Sequence, residues 1–221
     1  MTVVLVSGAL AGLLSFLIAH FTVVPLIETA ESYETAAAQA MPGMSHEDKG
    51  WQPADGTERT LYTALSAMLS GIGFAAVLFG AASLGGRPID ARRGALWGLA
   101  GFLCFALAPA LGLPPAPPGA AVADLYARQV WWVGTVAATA AGLWLVIGRE
   151  RRWSLRIGGL ALLLAPHLIG APSSTEPNLV PDELMRQFAI ASVETSGLFW
   201  LVLGTLGGLL YGRVVSPPTR L

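Results

Sequence analysis

Leu155-Arg156-Ile157-Gly158-Gly159-Leu160-Ala161-Leu162-Leu163-Leu164-Ala165-Pro166-His167-Leu168-Ile169-Gly170-Ala171-Pro172 is an apolar run that closes on an Ala-Pro turn with a histidine inside it. An ionisable group within an apolar span is costly and marks a site by default. The stretch has an echo upstream, Leu107-Ala108-Pro109-Ala110-Leu111-Gly112-Leu113-Pro114, which lacks the histidine. Two apolar runs that end on the same turn suggest an internal repeat, with His167 as the mark of the second copy.

Working outward, the chain has 221 residues, of which 54% are hydrophobic and 12% charged. Soluble domains carry about 25% charged residues. The composition therefore specifies an all-α, polytopic integral membrane protein, read as a single transmembrane domain over residues 1–221. Six apolar windows approach the ~20 residues that a helix needs to cross the bilayer. They are Val3–Val24, Leu61–Leu84, Gly94–Leu113, Val130–Gly148, Leu155–Ile169 and Phe188–Gly212, the fifth being the shortest. A five-span alternative would leave that fifth window half-inserted. The N-terminal window has no basic residue ahead of it, so it reads as a retained span rather than a cleaved leader.

Basic residues set the expected orientation. Arg87, Arg92, Arg93, Arg149, Arg151, Arg152, Arg156, Arg213 and Arg220 fall on one side, and Lys49, Arg59, Arg128 and Arg186 on the other. Nine against four places both termini in the cytoplasm, and an even number of spans satisfies this. Windows two and three, and windows four and five, form two hairpins running in the same direction, a parallel repeat of the kind found in transporters. Glycines spaced four apart, Gly8/Gly12, Gly94/Gly98, Gly204/Gly208 and Gly208/Gly212, would let helices approach closely.

The external loops are acidic. Residues 25–60 form an extracytoplasmic acidic segment, whose start, Glu28 to Ala40, favours helix and carries Glu28, Glu31 and Glu34 three apart on one face. Met41 to Asp48 follows as a turn that includes His46. Three ionisable groups lie within spans: His20, His167 and Glu194. At about 1.5 Å per residue, each lies within roughly 10 Å of the outer boundary. Imidazoles and a carboxylate suit Co, Ni, Zn or Fe(II) better than Mg or Ca. The candidate metal ligands are therefore His20, Glu28, Glu31, His46, His167 and Glu194. Glu194 is expected to turn inward and to meet His167 across the fifth and sixth windows, because an ionised carboxylate facing lipid costs on the order of 3 kcal/mol. The structural alternatives are that His20 snorkels to the interface and that His167 bonds a carbonyl freed by Pro166.

The single cysteine, Cys104, excludes an intramolecular disulfide. There is no phosphate loop of the Gly-x4-Gly-Lys-Ser/Thr type, no Cys-x2-Cys, no His-Glu-x2-His and no Gly-x-Ser-x-Gly. No basic, aromatic-interleaved face points to nucleic acid.

Six stretches carry a family resemblance: Pro25 to Glu34, His46, Trp51-Gln52-Pro53-Ala54-Asp55-Gly56-Thr57-Glu58-Arg59, Leu107 to Pro115, Arg128-Gln129-Val130-Trp131-Trp132, and Pro166 to Pro172. In that order the chain resembles the CbtA-type cobalt transporter subunit. The resemblance implies cobalt supply for cobalamin synthesis and a small single-span B subunit that carries histidines.

The sequence thus supports a non-enzymatic membrane subunit that takes up a divalent transition metal, cobalt first and nickel second. The ion is cargo, and no permanently bound cofactor is expected. An acidic and histidine-bearing outer region would gather the ion, and His20, His167 and Glu194 would admit it to the membrane. The partners are membrane lipid, the metal ion, the B subunit and further copies of the chain. Two rivals stand beside this reading. One is a haem-binding redox subunit with His20 and His167 as axial ligands, and the other an interaction subunit that moves no ion.

Overall fold

The computed structural model describes residues 1–40, 51–86, 89–148 and 152–215. Among them the regular elements are all helical: α1 (Thr2–Thr22), α2 (Val24–Ala40), α3 (Thr57–Leu84), α4 (Ala91–Phe102), a π-helical turn (Leu103–Leu107), α5 (Ala108–Gly112), α6 (Leu125–Ile147), α7 (Trp153–Ile169) and α8 (Asp182–Val215). Five helical stretches are long and apolar enough to cross a membrane: Thr2–Thr22, Thr57–Leu84, Ala91–Gly112, Leu125–Ile147 and Asp182–Arg213. The fifth window becomes α7, an apolar helix of 17 residues. A polytopic all-helical membrane protein is the result.

The helix ends follow from local chemistry. Pro25 has no N–H, so the α1 ladder cannot run through it, and it sits instead in the first turn of α2. Gly56 turns the chain into α3 at φ 88°, a conformation that other residues avoid. Asp90 caps α4 by accepting from the Arg93 N–H at 2.8 Å. Asp124 caps α6 in the same way, accepting from the Ala127 N–H at 3.0 Å. Asp182 and Glu183 open α8, as expected at a positive helix start. There Arg186 donates to Glu183 at 2.7 Å on the exposed surface. In the third window the ladder widens to a π-turn, with Ala108 N–H donating to the Leu103 carbonyl. This comes just before buried Pro109, which has no N–H to continue the ladder.

The chain divides into two compact units. The first comprises Met1–Pro25, Thr35–Leu99 and Glu194–Leu221, and the second Leu26–Glu34 and Ala100–Val193.

In the first unit α1 lies antiparallel against α3. A Cβ on Gly8 would come within 2.5 Å of Ile72 Cα, and one on Gly12 within 2.8 Å of Met68 Cα. The start of α4 lies antiparallel against the end of α8. A Cβ on Gly94 would come within 2.9 Å of Gly208 Cα, and one on Gly204 within 2.9 Å of Gly98 Cα. Backbone thus meets backbone, which supplies dispersion and Cα–H···O contacts where the apolar effect between helices is absent. Phe74 stacks edge-to-face on Phe199 and Trp200 of α8, with centroids 6.0 and 5.1 Å apart. Trp200 and Leu203 are fully or almost fully buried there, at 2% and 0% exposure.

In the second unit α6 and α7 form an antiparallel hairpin. Gly142 and Gly159 face each other, each Cβ position 2.8 Å from the other's carbonyl oxygen. The close pairs seen are therefore α1 with α3, α4 with α8, and α6 with α7. Of the two hairpins read from the repeat, α6–α7 is such a pair.

Candidate functional site

His167 stands one residue after buried Pro166, in the last turn of α7. Gly170 then ends the helix at φ 89°, its N–H donating to the Pro166 carbonyl at 3.0 Å. The half-buried imidazole meets the Trp131 indole of α6 edge-to-face, with centroids 6.2 Å apart. Trp131 fills the space over Gly112, where a Cβ would come within 2.6 Å of its Cζ2. Its Nε1 is buried without a hydrogen-bond partner. Glycine at 112 therefore makes room for the ring that lies beside His167.

The loops at this end are tied together. Ala121 N–H donates to Asn178 Oδ1 at 2.9 Å, which joins the proline-rich loop after α5 to the loop before α8. Gly119 adopts φ 74°, and a Cβ there would lie 3.4 Å from Val180 Cγ2 and 3.5 Å from Glu34 Cβ. Val180 is 2% exposed, so this contact is part of the interior. The stretch Leu26–Glu34 of α2 is consequently held to the same unit as His167. Ala30 is its buried anchor, Glu28 is exposed, and Glu31 and Glu34 are half-buried. The structure thus brings Glu28 and Glu31 into the unit that carries His167, at the end where α7 terminates.

The remaining candidates are placed differently. His20, near the end of α1, is half-buried between Phe16 and Phe21, with centroids 5.8 and 5.2 Å away. Glu194 belongs to the same unit as His20 and is exposed on α8, while its neighbour Thr195 is buried. The inward turn expected of Glu194 is not what the chain adopts: the packed face of α8 is taken by Thr195, Trp200 and Leu203. His46 lies outside the described residues. Among the described residues no group of three or more His, Cys, Asp or Glu side chains could hold a metal ion together.

The sequence analysis has Trp131 only within the Arg128–Trp132 motif and does not contain its contact with His167. It also missed Asn178 as the tie between two outer loops. The Arg128-Gln129-Val130-Trp131-Trp132 run and the Gly112 echo were the available signals.

The model of a family described as a probable cobalt transporter subunit (CbtA) matches residues 1–212 of the chain. No curated protein and no solved structure matches it.

Proposed function

We propose a role in cobalt uptake on the premise that the chain belongs to the CbtA family of probable cobalt transporter subunits. The match across residues 1–212 is the observation that carries the reading. In it the chain is a multi-pass subunit of the bacterial inner membrane, with both termini cytoplasmic, that passes Co2+ inward with a small single-span B subunit. The ion is substrate, and the chain performs no covalent chemistry.

The residue assignment rests on the shared unit of the α2 acids and His167. Glu28, Glu31 and His46 receive the ion from solution, where carboxylates raise the local cation concentration. His167, oriented by Trp131, takes it at the membrane edge. His20 and Glu194, which belong to the other unit, are the remaining proposed donors. A transport path needs sites that release the ion, since an ion bound too firmly does not leave. Imidazole and carboxylate donors accept Ni2+ as well, so nickel competes.

The test is radiolabelled cobalt uptake by cells expressing the chain with its partner. Glu28→Gln with Glu31→Gln, or His46→Ala, is expected to raise the half-saturating concentration while sparing the maximum rate. His167→Ala is expected to lower the maximum rate. Wild-type uptake by all three variants would overturn the assignment.

A further inference from the structure

Among the described residues, three buried side-chain atoms have no hydrogen-bond partner: Trp131 Nε1, Thr139 Oγ1 and Arg156 Nε. All three belong to the α6–α7 pair. The same pair lacks an apolar anchor. The buried residues of α6 are Thr135, Thr139 and Gly142, and those of α7 are Gly159 and Pro166. Neither helix buries a Leu, Ile, Val, Phe or Trp side chain, whereas α3 buries Leu78 and Phe79, and α8 buries Phe188, Trp200 and Leu203. An unpaired buried donor costs free energy, and on these two helices no large apolar side chain is buried to offset it. Elements with few buried apolar contacts open most readily.

Gly142 and Gly159 bring the two backbones together where no side chain fits. A Cβ on Gly142 would come within 2.8 Å of Leu163 Cγ, and one on Gly159 within 2.8 Å of Val146 Cγ2. Trp131, Thr135, Thr139 and Gly142 share one stripe of α6, and both ends of that stripe meet α7, at His167 and at Gly159. Trp131 Nε1 and Thr139 Oγ1 therefore fall on the His167 side of the glycine contact, and Arg156 Nε on the other. We propose that the His167 halves of α6 and α7 part about the Gly142–Gly159 contact and so admit water and the arriving ion to His167. In the parted state water accepts from the Trp131 N–H and the Thr139 O–H, which offsets the loss of the Trp131–His167 ring contact. The opposite tilt relieves Arg156 Nε at the far end, so the unpaired donors sit on both arms of a rocking pair. The whole movement lies within one compact unit. The proposal rests on the reading of the chain as a transport subunit and names the element that gates its histidine.

The experiment uses the full chain in its membrane, with Cys104→Ser as background, and a charged, membrane-impermeant thiosulfonate as probe. Thr139→Cys reports the seam, and Thr195→Cys on α8 is the control, the two threonines being 3% and 8% exposed. Thr139→Cys is expected to react about tenfold faster than Thr195→Cys, as befits the element that opens more readily. Amide hydrogen exchange on the unsubstituted chain is the second measurement, and decides the matter if Thr139→Cys fails to reach the membrane. Residues 131–139 of α6 should exchange faster than residues 200–208 of α8. Thr139→Val removes the unpaired donor at nearly equal volume and should slow that exchange about tenfold. Equal protection of the two cysteine variants, or α6 exchange as slow as that of α8, would overturn the proposal. Cobalt uptake by the same cells separates the two ideas. Labelling of Thr139→Cys without any chain-dependent uptake would sink the transport reading and leave the opening standing. Uptake with Thr139→Cys fully protected would do the reverse.

Discussion

At Gly204 the absence of a Cβ lets the α8 backbone rest against Gly98 of α4, and the same holds in reverse at Gly94 against Gly208. Neither partner can withdraw, because each contact is to main chain. Gly204→Val is therefore expected to destabilise the protein by about 1–3 kcal/mol, the usual range for overpacking. Gly134, with nothing within 4 Å of its Cβ position, is the control. Gly134→Ala should be neutral or stabilising by up to ~1 kcal/mol through helix propensity. Thermal unfolding in detergent checks both, and equal losses at the two sites would contradict the packing. The spacing of four made Gly8/Gly12, Gly94/Gly98 and Gly204/Gly208 legible from the sequence. It also included Gly212, whose Cβ position has ordinary space at 3.8 Å from the Ile89 carbonyl. It passed over Gly142 and Gly159, because neither has a glycine four residues away on its own helix and the two pair only across the α6–α7 contact. Glu194 shows the same limit. Its depth could be read from the chain, but its rotation about the α8 axis is set by which side Trp200 and Leu203 bury.

At the scale of elements, the long windows were plain in the sequence because each is apolar throughout and bounded by polar or proline-rich turns. The helix expected from Glu28 to Ala40 is present and begins earlier, at Val24, and α8 begins at Asp182, ahead of the apolar window that starts at Phe188. The π-turn at Leu103–Leu107 was not legible in the sequence. Pro109 announces a break in the hydrogen-bond ladder, but whether the helix kinks, ends or widens depends on what packs around it. Helix α7 is the element on which topology turns. At 17 residues it spans about 25 Å, just short of a ~30 Å hydrocarbon core. If it crosses, the basic C-terminal end lies in the cytoplasm. Reporter fusions after Gly119 and at the C-terminus are expected to read external and cytoplasmic respectively, and an external C-terminus would contradict six crossings. A smaller test concerns α6, where Asp124 accepts from Ala127 N–H. Asp124→Ala should cost about 1 kcal/mol and Asp124→Asn little, because asparagine caps as well as aspartate. Equal effects of the two on unfolding would show that the cap contributes nothing.

For the whole molecule, two compact units divide the proposed work. One gathers the acidic start of α2, the tied outer loops and His167 beside Trp131. The other holds the glycine-packed helices with His20 and the outward Glu194. Sequence alone identified each ionisable residue, since a charge in an apolar run stands out. It could not show which of them share a unit, because that follows from long-range packing such as Gly119 against Val180 and Glu34. The central claim is that this chain carries cobalt across the membrane by way of His167. The measurement that meets it most directly is the initial rate of radiolabelled Co2+ accumulation in cells lacking other cobalt uptake, with the chain and its partner, and again with His167→Ala at matched membrane level. The account expects chain-dependent accumulation, reduced by Ni2+ and lowered by about tenfold or more in the variant, as for loss of one metal donor. Accumulation that is the same with the chain absent, or unchanged by His167→Ala, would contradict it.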